Sequence, residues 1–258
     1  MAQDHTLMGS RYELKYLIPE RLALQVRDFV RQYLDLDEYC VGQPDCSYPV
    51  HSLYLDSDGW EIYWRTVNGD KNRFKLRVRY YDDKPSTPVF FEIKRRMKDV
   101  ILKQRCAVRR EAAPLVLTGH LPEPHHMFSS SPQELQAARR FIQLMCDLNA
   151  KPKLHVAYVR EAYVNNFNNE VRLTMDRRVV CVPRTDGGLP TRLEEPYLVS
   201  INVVILELKF TDRFPDWYRE LVRRFNCVQC GAAKYVEGTT VYNSRDLAEA
   251  DIARTLIL

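Results

Sequence analysis

Basic side chains occupy alternate positions in the segment KLRVRYY, residues 75–81. Successive side chains of a β-strand point to opposite faces, so this pattern predicts a strand with one cationic face and one apolar face. The cationic face would carry Lys75, Arg77 and Arg79. Guanidinium and ammonium groups in a row can bind the oxygens of a phosphate chain, although a strand that faces water can show the same alternation.

Four other segments repeat this alternation: RYELKYLI, FFEIKRR, ILKQRCAVR and VVILELKF. On a solvated face such charges would form cross-strand ion pairs, each worth only about 0.2–1 kcal/mol. Two features favour a buried charged face over that simpler explanation. The face is almost entirely Arg, Lys and Glu, and Glu207 and Lys209 end a run of Val, Ile and Leu, where buried charges need partners.

The charges predicted for this face do not cancel. Seven of them are basic and three are acidic, namely Lys15, Arg77, Arg79, Lys94, Lys103, Arg105 and Lys209 against Glu13, Glu92 and Glu207. A polyanion is the partner that would neutralise the excess, because its oxygens accept hydrogen bonds from Arg and Lys. A divalent cation such as Mg²⁺ or Mn²⁺ could lie between the glutamates and the phosphates.

The elements that carry these residues are mostly strands. Period-two patterning predicts strands near residues 10–18, 50–56, 73–81, 87–96, 100–109, 153–164, 170–176, 178–183 and 201–210. Helices are predicted near residues 20–34, 60–67, 133–148 and 215–225. Together they indicate an α+β protein on a large antiparallel sheet that could close into a barrel, with the loop at 119–132 as an insertion within one domain, residues 1–258.

Composition excludes several classes of protein. The 258 residues are 45% hydrophobic with a net charge of +4, and they contain no apolar run long enough for a membrane span. The first ten residues do not resemble a signal peptide, so a cytoplasmic location is predicted. Seven scattered cysteines indicate free thiols, since Cys227 and Cys230 form a single pair with no second pair at zinc spacing. A glycine-rich phosphate loop is missing from the sequence.

Several short motifs occur together in a familiar order: RYELKYLI, SLYLDS, KLRVRYY, FFEIKRR, AYVREAY, VRLTMD, ILELKF and AAKY. From about Arg11 to Tyr235, the chain resembles the VTC domain, the polyphosphate polymerase domain of the vacuolar transporter chaperone complex. That family belongs to the CYTH-like triphosphate tunnel metalloenzymes. The resemblance implies an eight-stranded antiparallel β-barrel with helices packed outside, a divalent metal, and ATP as phosphate donor.

The resemblance also assigns roles to individual residues. The residues implied to act on the transferred phosphoryl group are Lys15, Arg77, Arg79, Lys94, Arg160, Arg172 and Lys209. Those implied to bind the rest of the substrate are Lys103, Arg105 and Lys234, and those implied to bind Mn²⁺ or Mg²⁺ are Glu207, Glu13 and Glu92. Arg11 stands where hydrolytic enzymes of the CYTH type begin a Glu-x-Glu-x-Lys motif, and this difference favours the VTC branch.

Three functions remain open from the sequence. The first is ATP-dependent polyphosphate synthesis, and the second is a metal-dependent inorganic or nucleoside triphosphatase in the same tunnel. The third is a non-catalytic protein that binds polyphosphate or single-stranded nucleic acid, with Phe74, Tyr80 and Tyr81 as stacking platforms. Glutamates on the cationic face argue against nucleic acid, so the predicted partners are ATP, triphosphate or polyphosphate, with no membrane segment.

Overall fold

A computed structural model of the chain describes residues 11–98, 100–129, 131–165, 171–200 and 202–255. These residues form ten strands: β1 (Arg11–Pro19), β2 (Asp35–Leu36), β3 (Tyr48–Asp56), β4 (Asn72–Tyr80), β5 (Val89–Met97), β6 (Val100–Val108), β7 (Lys151–Val164), β8 (Arg172–Pro183), β9 (Tyr197–Leu198) and β10 (Val203–Thr211). Residues 1–10 and the predicted strand starts at residues 10, 170 and 201 lie outside the described residues.

The described residues also form six α-helices: α1 (Glu20–Val30), α2 (Glu61–Val67), α3 (Ala113–Leu117), α4 (Pro132–Asp147), α5 (Asp216–Arg224) and α6 (Lys234–Thr255). Short 3-10 helices occur at Pro44–Cys46, Arg110–Ala112 and Pro124–His126. The Ser131 hydroxyl caps α4 by accepting a hydrogen bond from the Glu134 amide at 3.2 Å. Within the described part of the chain, no helix is both long enough and apolar enough to cross a membrane.

The sheet is built from antiparallel pairs throughout. Its strand order is β1-β10-β8-β7-β3-β4-β5-β6, with β2 added beside β7 and β9 beside β8. The sheet curls so strongly that Lys94 Nζ on β5 lies 2.9 Å from Glu13 Oε2 on β1. The prediction of an α+β protein with a large antiparallel sheet is therefore confirmed.

Closure into an eight-stranded barrel is not confirmed. Among the described residues, the end strands β1 and β6 form no hydrogen-bonded ladder with each other. The second edge of β1 is occupied by the segment before α6, where the Cys230 amide donates to the Lys15 carbonyl at 2.9 Å and Tyr16 bridges to Gln229. Backbone groups at a strand edge need hydrogen-bond partners, and this segment, instead of β6, provides some of those partners for β1.

The strand faces divide as the alternation predicts. We call the concave face the inner face, defined by residues that share it through the register of neighbouring strands: Glu13 opposite Lys209, Lys15 opposite Glu207, Lys75 opposite Lys94, Arg77 opposite Glu92, and Glu92 opposite Arg105. The outer face is mostly apolar and covered by helices. Phe91 packs edge-on against Phe141 of α4 with ring centroids 5.1 Å apart, and Leu206 and Leu208 pack in the cluster that includes Phe29 of α1.

The short elements β2, β9 and α3 were not predicted, and two larger parts of the fold also differ from the sequence-based expectation. The predicted strands at 170–176 and 178–183 are one strand, β8, which continues through Arg178 in the left-handed region (φ 51°) beside a register shift against β7. Helix α6 was not predicted. It packs closely on β7 and β8 at Gly238, where a Cβ atom would come within 3.0 Å of the Leu154 side chain.

Candidate phosphate-binding site

The inner face encloses two adjoining cavities. The narrower one, of about 90 Å³, is lined by Lys15, Tyr54, Lys75, Arg77, Arg79, Lys94, Tyr158, Arg160, Glu207, Lys209, Ala233, Lys234 and Tyr235. The wider one, of about 810 Å³, shares Lys15, Lys75, Lys94 and Ala233 with it and opens at the end where β4 begins. Eight cationic side chains and one carboxylate therefore line the narrower cavity.

The single carboxylate among these lining residues, Glu207, is the centre of a cationic cluster. Its oxygens lie 2.7 Å from Lys209 Nζ, 3.0 Å from Lys234 Nζ, 3.3 Å from Lys15 Nζ and 3.6 Å from Arg160 Nη2. Burial alone would raise the pKa of Glu207, but these cations hold it well below its usual range. The carboxylate thus stays ionised and holds four cations in place.

Asp176 anchors two members of this cluster and was missed by the sequence interpretation. It is fully buried, accepts two hydrogen bonds from Arg160 at 2.7 and 2.8 Å, and lies 2.6 Å from Lys234 Nζ. Burial would raise its pKa, but the neighbouring Arg160 and Lys234 lower it. The sequence did contain an indication of its position, because Asp176 lies an even number of residues from Arg172 in VRLTMD and so shares a strand face with it.

Glu13 joins β1 to β5 across the gap between the end strands. It accepts hydrogen bonds from Lys94 Nζ at 2.9 and 3.2 Å and lies 3.2 Å from Lys15 Nζ. Burial opposes ionisation here too, yet Lys94 and its neighbours hold the pKa of Glu13 well below its usual range. Lys15 also donates to the Ala232 carbonyl at 2.8 Å, so β1 contacts the segment that leads into α6.

Glu92 forms a separate cluster on β4, β5 and β6. Its carboxylate lies 2.6 Å from Arg77 Nη2 and 2.6 Å from Lys103 Nζ, while Arg105 Nη1 is 3.9 Å away. Arg77 also donates to the Tyr54 hydroxyl at 3.2 Å. Glu92 is fully buried, whereas Lys103 and Arg105 are about half exposed, so only one side of this cluster faces solvent.

Arg79 is a buried cation without a carboxylate within 4 Å among the described residues. Its Nη2 donates to Ser52 Oγ at 3.2 Å and to the Tyr158 hydroxyl at 3.0 Å, and its Nε is buried without a hydrogen-bond partner. Only 7% of the residue is exposed. A buried guanidinium with an unused donor is costly unless an anion joins it, so Arg79 indicates an anion-binding position.

Lys75 is a second inner-face cation with no carboxylate within 4 Å in the described ranges, and the sequence interpretation did not select it for the site. It lines both cavities and lies opposite Lys94 in the register of β4 and β5. Burial and the positive charges of Lys15 and Lys94 lower the pKa of Lys75 to about 7. Burial likewise lowers the pKa of Lys103 and of Lys209 to about 8, against the attraction of their glutamates.

Arg172 lies outside both cavities. Its Nη2 donates to Asp37 Oδ2 at 2.8 Å, and it is opposite Lys209 in the register of β8 and β10. The structure therefore brings Lys15, Arg77, Arg79, Lys94, Arg160, Lys209 and Lys234 to one cavity, with Lys103 and Arg105 beside it and Arg172 at its periphery.

The three carboxylates predicted to bind metal do not form one group. Glu13 and Glu207 both contact Lys15 Nζ, at 3.2 and 3.3 Å, whereas Glu92 belongs to the Arg77 cluster. In the described ranges, no three His, Cys, Asp or Glu side chains converge as metal ligands. Mg²⁺ commonly uses one or two carboxylates and completes its coordination with substrate phosphates, so Glu13 and Glu207 fit such an ion. All seven cysteines are free thiols, as predicted.

The predicted stacking platforms are only partly present. Tyr80 is fully buried on the outer face, where its hydroxyl donates to the Pro190 carbonyl at 2.8 Å and contacts His155 Nε2 at 3.1 Å. Phe74 and Tyr81 both pack in part against the hydrophobic core, and Phe74 also lines the wider cavity. Of the three aromatic residues proposed for nucleic-acid stacking, Tyr80 is therefore wrong, because its ring is fully buried.

The chain is similar to proteins of a known family. The family model of the VTC domain matches residues 10–243. The vacuolar transporter chaperone complex subunit 2 of Schizosaccharomyces pombe is 24% identical over 131 residues, which are 48% of this chain and 18% of that protein. The chain thus spans less than a fifth of that relative's length.

Similar solved structures are more distant. A Bacillus halodurans protein described as an adenylate cyclase has a TM-score of 0.47 at 13% identity, over 87% of this chain and 95% of that one. A Pyrococcus horikoshii protein has a TM-score of 0.43 at 12% identity, over 88% of this chain and 96% of that one.

Proposed function

Because this chain belongs to the VTC domain family, we propose that it is an ATP-dependent polyphosphate polymerase that transfers the γ-phosphoryl group of ATP to the end of a polyphosphate chain. The observation that carries the proposal is the charge of the narrower cavity, where eight cationic side chains meet one carboxylate. This excess of positive charge fits a phosphate chain, which presents negative oxygens along its whole length.

The chain's own residues would act by positioning and by neutralising charge. Phosphoryl transfer passes through a transition state with charge on the equatorial oxygens, and enzymes accelerate it mainly by orienting and stabilising those charges. Arg79 and Arg77 would bind the phosphates from β4, and Arg160 would bind them from β7, held by Asp176. Lys15, Lys209 and Lys234, which surround Glu207, would neutralise the transferred group.

The protonation states favour transfer to a phosphate over hydrolysis. A polyphosphate end is already anionic and needs no general base, whereas an attacking water must lose a proton. Glu13, Glu92 and Glu207 are all ion-paired, and neighbouring cations lower the pKa of each. Carboxylates with lowered pKa values are weak bases, so a triphosphatase would have to use a lysine of lowered pKa, such as Lys75, as its base, and it is kept as the alternative.

A divalent ion fits one part of the site. Glu207 and Glu13 would hold Mn²⁺ or Mg²⁺ together with phosphate oxygens, and the ion would supply positive charge that stabilises the phosphates when bound. Lys15 contacts both carboxylates, at 3.3 and 3.2 Å, and would have to move towards the phosphates. Metal dependence is therefore part of the proposal.

Product analysis tests the proposal. Purified protein is incubated with ATP and Mn²⁺ or Mg²⁺, and the products are resolved by size. Long phosphate polymers are expected, and Arg79→Met should abolish them while Arg139→Met, which removes an exposed cation of α4, should not. Release of inorganic phosphate alone would support the triphosphatase, and absence of any product despite tripolyphosphate binding would support a binding domain.

The proposal extends to partners and location. The Schizosaccharomyces pombe relative is by name a subunit of a complex, and we propose that this chain also works with partner subunits. A cytoplasmic location stays a prediction from the sequence.

A further inference from the structure

The five lysines that line the narrower cavity differ in what their amines contact. Four of the amines lie close to oxygen atoms: Lys15 is 2.8 Å from the Ala232 carbonyl, Lys94 2.9 Å from Glu13, Lys209 2.7 Å from Glu207 and Lys234 2.6 Å from Asp176. The Lys75 amine, 6.0 Å from the centroid of the Tyr235 ring, has neither a hydrogen-bond partner nor a carboxylate within 4 Å in the described part of the chain. Its nitrogen is therefore available for chemistry whenever the amine loses its proton.

We propose that Lys75 is a modification site, whose amine takes the acyl group of an acyl phosphate, a small molecule in which a carboxylic acid is joined to phosphoric acid. The modification would couple the binding of phosphate chains to the supply of such molecules. The inference requires that the cavity binds phosphate, and it does not depend on the polymerase reaction of the proposed function.

Lys75 lies where the two cavities meet. It lines both of them, as do Lys15 and Lys94, and it is opposite Lys94 in the register of β4 and β5. Side chains that are directly opposite in antiparallel strands have Cβ atoms about 4.5–5.5 Å apart. Lys75 is only partly buried, so a small molecule that enters the wider cavity reaches its amine beside two cations that can hold a phosphate.

An amine must be neutral to attack an acyl carbon. Burial and the charges of Lys15 and Lys94 lower the pKa of Lys75 to about 7, so roughly half of its amine is neutral at pH 7, against about one molecule in 2,500 for an ordinary lysine. Lys103 and Lys209 also have a lowered pKa, of about 8, but their amines lie 2.6 and 2.7 Å from carboxylates. Lys75 thus combines a neutral fraction with an uncommitted nitrogen.

An acyl phosphate suits this position because its leaving group is the group that the cavity binds. Its reactive carbon is one oxygen atom away from the phosphorus, so a phosphate held by Lys15 and Lys94 presents that carbon to Lys75. The Lys75 nitrogen attacks the acyl carbon and forms an amide bond, while the bond between this carbon and the bridging oxygen breaks. Inorganic phosphate leaves with the electron pair of that bond and takes up the amine proton, and the neighbouring ammonium groups stabilise its charge.

Acylation would weaken the binding of a phosphate chain. Arg73, Lys75, Arg77 and Arg79 share one face of β4, and an amide at the second position removes one charge from this row. The acyl group also adds volume where the narrower cavity, of about 90 Å³, joins the wider one. The modified protein should therefore bind tripolyphosphate roughly tenfold more weakly, as expected for the loss of one hydrogen bond to a charged group.

Mass spectrometry of wild-type protein treated with acetyl phosphate at pH 7 tests the site. Acetylation of Lys75 should be roughly tenfold faster, or more, than that of the exposed Lys71 and Lys84, and tripolyphosphate should protect Lys75 alone. The acetyl ester of N-hydroxysuccinimide, which carries no phosphate, is the control reagent and should prefer Lys75 less strongly. Equal rates at the three lysines, faster acetylation of another cavity lysine, or the same preference with both reagents would overturn the inference.

A binding measurement tests the consequence of the modification. Wild type and Lys75→Arg are treated with acetyl phosphate, freed of the reagent and titrated with tripolyphosphate in a calorimeter. The modified fraction of the wild type should lose roughly tenfold in affinity, whereas treatment should leave the affinity of Lys75→Arg unchanged, because a guanidinium stays protonated. Lys84→Arg is the matched control and should respond as the wild type does. An equal fall in wild type and Lys75→Arg would place the effect on other lysines and overturn the inference.

The proposed function and this inference can fail separately. Protein that makes no phosphate polymers but is selectively acetylated at Lys75 would overturn the polymerase reaction alone. Polymer synthesis without selective acetylation of Lys75 would overturn the modification site alone, and wild-type protein that does not bind tripolyphosphate would overturn both.

Discussion

Arg160 and Asp176 form a bidentate pair inside the sheet, with the guanidinium Nε and Nη2 atoms 2.7 and 2.8 Å from the two carboxylate oxygens. The two residues are direct partners in the register of β7 and β8. These two hydrogen bonds fix the orientation of the Arg160 guanidinium in the cavity. They also keep its Nη2 atom 3.6 Å from the Glu207 carboxylate. The pair therefore sets the position of a cation that the proposed reaction uses.

Removal of the acidic partner should be costly. Asp176→Asn leaves Arg160 and Lys234 buried with one carboxylate fewer, and a broken buried ion pair typically costs about 3–5 kcal/mol. For a chain of this size that corresponds to a fall in melting temperature of roughly 10 °C. Asp58→Asn is the control, because Asp58 forms exposed pairs with Lys151 and Lys153. Equal melting temperatures for both variants would contradict the structural role of Asp176.

Arg79 should behave in the opposite way. Arg79→Met removes a buried cation that has no carboxylate within 4 Å in the described part of the chain, so the variant should be as stable as the wild type or more stable. Its affinity for tripolyphosphate should fall by roughly tenfold to a hundredfold, which is the strength of a hydrogen bond to a charged group. Calorimetric titration and thermal melting test the two effects separately. A stability loss without an affinity loss would assign Arg79 a structural role only.

The sequence predicted the faces better than the contacts. Period-two alternation identified Arg77 and Arg79 as inner-face residues, because strand geometry alone decides the face. It could not tell that Glu92 would pair with Arg77 instead of joining Glu13 and Glu207, since that depends on the strand order. Asp176 was missed because its two partners, Arg160 on β7 and Lys234 at the start of α6, meet only through the pairing of β7 with β8 and the packing of α6.

The ends of the sheet were equally difficult to predict. Helix α6 places Lys234 in the cavity, yet its residues show little amphipathic pattern, and only the AAKY motif pointed to that lysine. The position of β1 against residues 229–230 depends on a contact between the first strand and a segment that lies far later in the sequence. Lys75 was predicted for the cationic face but was not assigned a role in the site, although β4 begins three residues earlier, at Asn72, and so holds Lys75 well inside the strand.

The outer face contains a buried histidine pair that should make stability depend on pH. His51 Nδ1 lies 3.2 Å from His155 Nε2, and burial lowers the pKa of His51 to about 4 and that of His155 to about 3. The folded state therefore binds fewer protons than the unfolded state below pH 6.5, and stability falls as the pH drops from 6.5 towards 4. Each histidine should cost about 2 kcal/mol between pH 6.5 and 5.

Urea unfolding at pH 7 and pH 5 measures this dependence. His51→Phe, whose ring can keep the stacking on Tyr80, should lose less stability between the two pH values than the wild type. His120→Phe, which changes an exposed histidine, should show the wild-type dependence. Parallel losses in wild type and His51→Phe would show that the buried pair does not titrate as expected.

Lys75 should make phosphate binding depend on pH near neutrality. Burial and the nearby Lys15 and Lys94 lower its pKa to about 7, so the empty site loses this charge as the pH rises above 7. A bound phosphate chain would raise that pKa, and binding would therefore take up a proton. Binding then requires the protonation of Lys75, which becomes less favourable as the pH rises. The affinity for tripolyphosphate should therefore fall between pH 6.5 and pH 9.

Lys75→Arg separates this effect from the titration of the ligand and of Lys103 and Lys209. Arginine keeps its charge over the whole range. The variant should therefore lose about tenfold less affinity than the wild type between pH 6.5 and 9. A tenfold difference corresponds to a rise of about one unit in the pKa of Lys75 on binding. Lys71→Arg, which changes an exposed lysine, should follow the wild-type curve. If the curves of wild type and Lys75→Arg run parallel, Lys75 stays charged in the empty protein, and the loss of affinity at high pH must come from Lys103, Lys209 or the ligand.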